Sequence, residues 1–151
     1  MNMLDNFTGI EINKIHPTDP EDLRGPTYEL YKGETGLQVT AYIRRRDVFF
    51  GNHYHRGEDP SKNPEKMFLV KGVVRLIAED GVAKKYLDTI VKEGYEIRIY
   101  PNILHSMLAL TDVIFLEYRS TIFDRENPDT YPNDTYEGYI KNLKNNYNCY
   151  P

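Results

Sequence analysis

Residues 51–72 read GNHYHRGEDPSKNPEKMFLVKG. His53 and His55 are one residue apart, Glu65 follows a turn-rich insert, and Gly72 closes an apolar run. In a strand, residues i and i+2 point the same way, about 6.5–7 Å apart. The two imidazoles can therefore aim at one point on the concave side of a sheet, with Gly51 leaving room on that face. If 48–55 and 66–72 pair as neighbours, the Glu65 carboxylate reaches the same point. His105, in PNILHSM (101–107), opens a later strand and completes a set of three imidazoles and a carboxylate. That mixed shell suits a divalent transition metal such as Zn, Fe, Mn, Ni or Cu and does not choose among them. His16, beside Pro17, has no such neighbours in sequence and reads as structural.

Outward from this stretch the chain alternates with period two. Strands are expected at 10–16, 28–32, 37–46, 48–55, 66–78 with a hinge at Gly72, 86–91, 95–100, 105–110 and 113–120. Asp80–Gly81 reads as a hairpin turn, and Thr111–Asp112 as the turn of another hairpin. Many short strands at this spacing mark an all-β sandwich or barrel. Residues 19–23 allow one helical turn between prolines. Pro128 and Pro132 break an irregular arm at 121–134. Tyr136, Tyr139, Ile140 and Leu143 stand at helical spacing within 135–145. One domain is expected: an N-terminal segment (1–36) lying on the barrel, a barrel core (37–120), and a C-terminal arm and short helix (121–151).

At 151 residues, 40% hydrophobic and 28% charged, the chain is long enough for a sizeable core. The net charge of −4 and pI near 5.6 argue against nucleic-acid or anionic-membrane partners. No apolar run approaches the roughly 20 residues of a membrane helix, and no signal peptide is seen at the start. The single cysteine, Cys149, lies in the tail, which fits a reducing cytoplasm. No phosphate loop, nucleophile elbow or cysteine–histidine pair is present. Arg44, Arg45 and Arg46 form a basic run in an acidic chain. Tyr42, Arg44 and Arg46 share one strand face and are candidates to hold an anion. Arg98 alternates with Glu96 against Ile97 and Ile99 and faces either the cavity or water. Tyr100, before Pro101, is expected near the mouth, while Tyr86, Tyr95 and Tyr118 read as core or subunit surface.

Gly51, His53, His55, Glu65 and Gly72 resemble the first motif of the cupin superfamily. Gly94, Pro101 and His105 resemble the second. Nine residues separate His55 from Glu65, more than is usual, which implies a longer loop at the barrel mouth, with Glu58 in it as a competing carboxylate. PNILHSM is similar to the corresponding string of small sugar-nucleotide ketoisomerases. GNHYH and FDRENPDTYP (123–132) resemble the C-terminal cupin of capsule-sugar reductases. The resemblance implies a cupin-type jelly-roll β-barrel with a short C-terminal helix, a metal on His53, His55, Glu65 and His105, and a homodimer, for which Phe68 and Val70 offer outward apolar surface. It also implies a sugar or sugar-nucleotide substrate undergoing isomerisation or epimerisation next to a ketone. That chemistry needs a base and a group to hold enediolate charge. Without metal, His53 or His55 is the base. With metal, the imidazoles are occupied, and Tyr42 or Tyr100 becomes the proton carrier. Arg44, Arg46 and Arg98 are the candidate substrate-binding residues. An iron-dependent oxygenase and a non-catalytic sugar- or metal-binding module are the other readings of the same residues.

Overall fold

The computed structural model describes residues 7–18 and 24–147. Among these residues, ten strands form two antiparallel sheets that face one another. The first sheet contains β1 (Ile10–Lys14), β7 (Tyr95–Ile99), β4 (Glu65–Lys71), β9 (Val113–Arg119) and β2 (Gln38–Arg44), in that order. The second contains β10 (Tyr131–Pro132), β3 (Phe49–Tyr54), β8 (Ile103–Ala109), β5 (Val73–Asp80) and β6 (Lys85–Lys92). The helix α1 (Tyr136–Tyr147) follows. The expected turn at 19–23 and the tail position of Cys149 lie outside the described residues.

Period-two alternation explains the core. In β8, Ile103, His105, Met107 and Ala109 are buried, and in β9 so are Val113, Phe115, Glu117 and Arg119. Leu76, Ile97, Ile99, Met107 and Phe115, each at most 2% exposed, join the sheets at one end of the sandwich. The other end is polar and holds the cavity described below.

Several expectations are corrected. β8 and β9 do not form a hairpin: their connection at Thr111–Asp112 passes from one sheet to the other. Gly72 makes the same kind of crossing between β4 and β5. Its φ is +95°, and a Cβ there would sit 2.4 Å from the Asp112 carbonyl oxygen, so only glycine fits. β3 and β4 are not neighbours either, so Glu65 approaches the histidines from the opposite sheet. Residues 28–32 form no strand. That segment lies across the outer face of the first sheet, with Tyr28 against Phe68 (ring centroids 5.1 Å apart) and Tyr31 stacked on Tyr118 (4.6 Å). Phe68 is consequently only 2% exposed and offers no free outward surface. The helix lies on the outside of the second sheet, where Tyr136 and Ile140 bury against Tyr54 and Leu104.

Candidate functional site

A β-bulge sets the histidines. The β3–β8 register runs Phe50↔Met107 and Gly51↔Ser106, then shifts, so that His53 faces His105 directly. Gly51 and Asn52 both have positive φ, +81° and +60°. The extra residue reverses the alternation. Phe50, His53 and His55 therefore all line the interior, and Tyr54 turns outward onto the helix. The ring centroids of His53, His55 and His105 lie 4.8–5.2 Å apart, and one nitrogen of each falls within 4.8 Å of the others.

Two of the rings are fixed from behind. His55 Nδ1 lies 2.5 Å from the Asp129 carbonyl oxygen and His105 Nδ1 lies 3.0 Å from that of Ile103. A carbonyl only accepts, so each Nδ1 carries the hydrogen and each Nε2 faces the cavity. Both Nε2 atoms meet Glu65 Oε2, at 3.2 Å and 3.5 Å. Lone pairs of neutral imidazole and carboxylate oppose one another there unless a proton or a metal cation lies between them. His53 is held near a pKa of about 3, by burial first and then by the neighbouring His105 and His55, and stays neutral with its lone pair available. Two imidazoles anchored by carbonyls at Nδ1, a third with its lone pair available, and a carboxylate completing the set fit a divalent metal.

The carboxylate continues into a buried ionic network. Glu65 Oε1 accepts from Lys62 Nζ at 2.5 Å, and the same ammonium donates to Glu117 Oε1 at 2.9 Å. Arg119 Nη1 donates to Glu117 Oε1 at 3.0 Å, and its Nη2 to Asp59 Oδ2 at 2.5 Å. Lys62, Glu65, Glu117 and Arg119 are all at most 6% exposed. Burial works against the Glu65 charge, but the Lys62 ammonium first, then His55 and the side-chain contacts to His105 and His55, outweigh it and hold its carboxyl well below the ordinary range. Two cations here face three carboxylates, counting Asp59, so the site has room for one further positive charge. Glu117 Oε2 accepts from the Tyr42 hydroxyl at 2.6 Å.

Tyr42, Lys62, Glu65, Arg119 and the three histidines line a cavity of about 400 Å³. Its histidine wall comes from one sheet, and Tyr42, Arg44, Glu65 and Arg119 come from the other. Of the sequence candidates, His53, His55, His105, Glu65, Tyr42 and Arg44 converge here. Arg46, Arg98 and Tyr100 do not. β2 ends at Arg44, and Arg46 falls in the following turn, its backbone N–H on Asp112 and its side chain largely exposed. In β7, Ile97 and Ile99 take the inward positions. Arg98 therefore lies on the outer face against Glu96 (2.9 Å), and Tyr100 donates to Glu11 (2.9 Å). Glu58 also lies outside the cavity, accepting from Tyr131.

Lys62, Glu117 and Arg119 did not stand out in the sequence. For the last two the signal exists: in VIFLEYR (113–119) the buried parity set by Val113 and Phe115 carries on to Glu117 and Arg119. Lys62 gives none, because its burial depends on how the 56–64 loop folds inward. The arm adds Phe123, Arg125 and Thr130 to the cavity wall.

No protein-family profile matches the sequence. The chain is 26% identical over 121 residues to the UDP-2-acetamido-2,6-beta-L-arabino-hexul-4-ose reductase of Pseudomonas aeruginosa, a match covering 78% of this chain. The chain spans only 31% of that protein's length. Among solved structures it resembles dTDP-4-dehydrorhamnose 3,5-epimerase from Sulfolobus tokodaii, with a TM-score of 0.62, 23% identity, and 80% and 75% of the two chains covered. It also resembles a sugar 3,4-ketoisomerase from Thermoanaerobacterium thermosaccharolyticum in complex with TDP, with a TM-score of 0.68, 16% identity, and 93% and 98% covered. By fold, then, the chain is a cupin-type jelly roll built like these sugar-nucleotide epimerases and ketoisomerases.

Proposed function

We propose that this chain is a sugar-nucleotide isomerase or epimerase that moves a proton next to a ketone. The observation that carries the reading is the placement of two kinds of proton-handling group on opposite walls of one cavity, imidazoles from β3 and β8 and the Tyr42 phenol from β2. A keto sugar between them meets a group on each face. The comparisons support the substrate class, since the solved relatives include a sugar 3,4-ketoisomerase with TDP bound and a sugar-nucleotide epimerase. Arg44 stands at the cavity wall with its guanidinium over Tyr42 and Phe50 and is the candidate partner for a diphosphate.

His53, His55 and His105, with Glu65, would hold a divalent transition metal. When bound, such an ion supplies charge stabilisation for an enediolate oxygen. With the imidazoles so engaged, Tyr42 is the residue left to move a proton. Without metal, neutral His53 has the free lone pair, but burial makes it a weak base. The arrangement thus suits the metal-bound form better.

We also propose a homodimer through β2. It is an edge strand of its sheet, and Val39 and Ile43 in it and Leu37 just before it are 62%, 70% and 65% exposed.

The test of the reaction is solvent deuterium incorporation into keto-sugar nucleotides, beginning with TDP-4-keto-6-deoxyglucose and its UDP counterpart. Incorporation next to the carbonyl, lost in a His53→Ala/Tyr42→Phe double variant, supports it. No incorporation across a panel of TDP and UDP keto sugars, by metal-loaded and by metal-free protein, overturns it.

A further inference from the structure

We infer that Glu117 is a positioning residue that takes the Tyr42 hydroxyl hydrogen, so that Tyr42 presents a lone pair, rather than a proton, to the cavity. The inference deepens the reading of this cavity as a substrate site and rests on it for the identity of the ligand. Glu117 is 1% exposed, and its two oxygens have separate duties. Oε1 is taken by Lys62 and Arg119, at 2.9 and 3.0 Å. Oε2 is left for Tyr42 at 2.6 Å. Lys62 and Arg119 both donate to this carboxylate, and a carboxylate only accepts. The 2.6 Å contact is therefore a hydrogen donated by the phenol.

Two consequences follow for a ligand. In the resting site, Tyr42 is an acceptor, so a hydroxyl of the sugar facing it makes a hydrogen bond that a deoxy position cannot. A site built around such a hydroxyl discriminates strongly against the analogue lacking it. Tyr42 also takes up a substrate proton only while passing its own to Glu117. The proton then lies on Glu117 Oε2, the phenol stays neutral, and the electron pair it left behind stays on the substrate as the enolate. Running the same two transfers backwards returns a proton to the substrate. The negative charge moves from Glu117 to the substrate and back, and no other reactant is consumed.

The groups bearing on the phenol are Glu117 and Arg119 on β9, Glu65 on β4, Lys62 from the loop, and Arg44, whose guanidinium lies 5.2 Å from the ring centre. Burial, then the hydrogen bond to Glu117 and its charge, raise the phenol above the ordinary tyrosine range, as a donor to an anion should be.

The experiment places 3-fluorotyrosine at position 42 of the full chain and follows its ionisation by fluorine NMR, with the same probe at Tyr86, which is 72% exposed, as the internal standard. The probe at 42 is expected to ionise at least about one pH unit above the probe at 86, and Glu117→Gln to lower it by about 1–3 pH units. Ionisation of the two probes together overturns the inference, with or without a folded Glu117 variant. A second arm measures binding of TDP-4-keto-6-deoxyglucose and its 3-deoxy analogue. The wild type should prefer the hydroxylated ligand at least about tenfold, and Tyr42→Phe should abolish the preference. Equal discrimination by wild type and Tyr42→Phe also overturns it. If the fluorine result holds while neither ligand binds, Glu117 keeps its role at Tyr42 and the sugar-nucleotide reading falls instead.

Discussion

Replacing Lys62 with methionine tests the ionic floor of the cavity most directly. The ammonium lies 2.5 Å from Glu65 and 2.9 Å from Glu117, and the lysine is 6% exposed. Its charge is worth the burial only because two carboxylates share it: burial alone would lower its pKa, and Glu65 and Glu117 raise it instead. Methionine fills nearly the same volume, so packing changes little and the electrostatic loss dominates. Glu117 still has Arg119 at 3.0 Å, but Glu65, 5% exposed, loses its strongest partner. Breaking a buried pair in this way costs about 3–5 kcal/mol. At about 2–4 °C per kcal/mol for a domain of this size, the melting temperature should fall by roughly 6–20 °C. The measurement is thermal unfolding at pH 7 in the presence of a chelator, backed by urea unfolding. The Lys62→Met/Glu65→Gln double variant is the decisive companion, because it removes the stranded carboxylate as well. A coupling of about 1–3 kcal/mol between the two positions is expected. If Lys62→Met melts within about 2 °C of the wild type, below the shift expected for even 1 kcal/mol, Lys62 is a solvated loop residue and the network described above is wrong.

The metal assignment predicts one divalent transition ion per chain by elemental analysis. At about 100 times the dissociation constant it should add about 2.7 kcal/mol, an effect lost in His105→Asn; equal melting of loaded and chelated protein would remove the assignment. Asp59 is held below its ordinary pKa: burial opposes this, but the Thr121 hydroxyl, the Ser61 N–H and Arg119 prevail. A carboxylate depressed on folding contributes stability that is present above about pH 4 and lost as pH falls through the folded value. Asp59→Asn should therefore be less stable than wild type at pH 7 and match it near pH 2, and a constant difference across that window would contradict the pairing. Phe68→Ala should cost about 3–5 kcal/mol, as for a core aromatic, whereas Val70→Ala, at 41% exposure, should cost far less; similar costs would mean that the 24–36 segment does not cover Phe68. Ile43→Lys should convert a dimer to a monomer in sedimentation velocity, and a wild-type monomer would refute the edge-strand interface.

What the sequence made legible was what depends on local periodicity. Alternation located most of the strands, the spacing of Tyr136, Ile140 and Leu143 located the helix, and the scarcity of histidines made three of them stand out. Sheet membership was not legible, because a turn such as Thr111–Asp112 has the same chemistry whether the chain pairs back or crosses over. Nor was the parity of β3. Uninterrupted alternation would put Phe50, Asn52 and Tyr54 on one face, and only the bulge at Gly51–Asn52 lets Phe50, His53 and His55 share the interior. Phe68 was misplaced for a different reason: its cover comes from Tyr28, in a segment without regular structure.

The 56–64 loop shows most clearly how a long-range cause escapes a local reading. Its length implied a longer loop standing at the barrel mouth. In the structure its Pro60–Lys62 turn is tucked inward, with Ser61 and Lys62 only 3% and 6% exposed. Asp59 caps the turn through the Ser61 N–H and also holds Arg119 and Thr121, and Ser61 bonds Thr121 across to the arm. Asp129, from the same arm, accepts the Arg56 and Asp59 N–H groups with its carboxylate and the His55 ring with its carbonyl. The extra residues thus deliver a cation to the point where Glu65 and Glu117, from separate strands, would otherwise repel one another. With Lys62 there, one carboxylate is free to face the imidazoles and the other to orient Tyr42. The loop's own charge, rather than its reach over the mouth, ties the two walls of the cavity into one site.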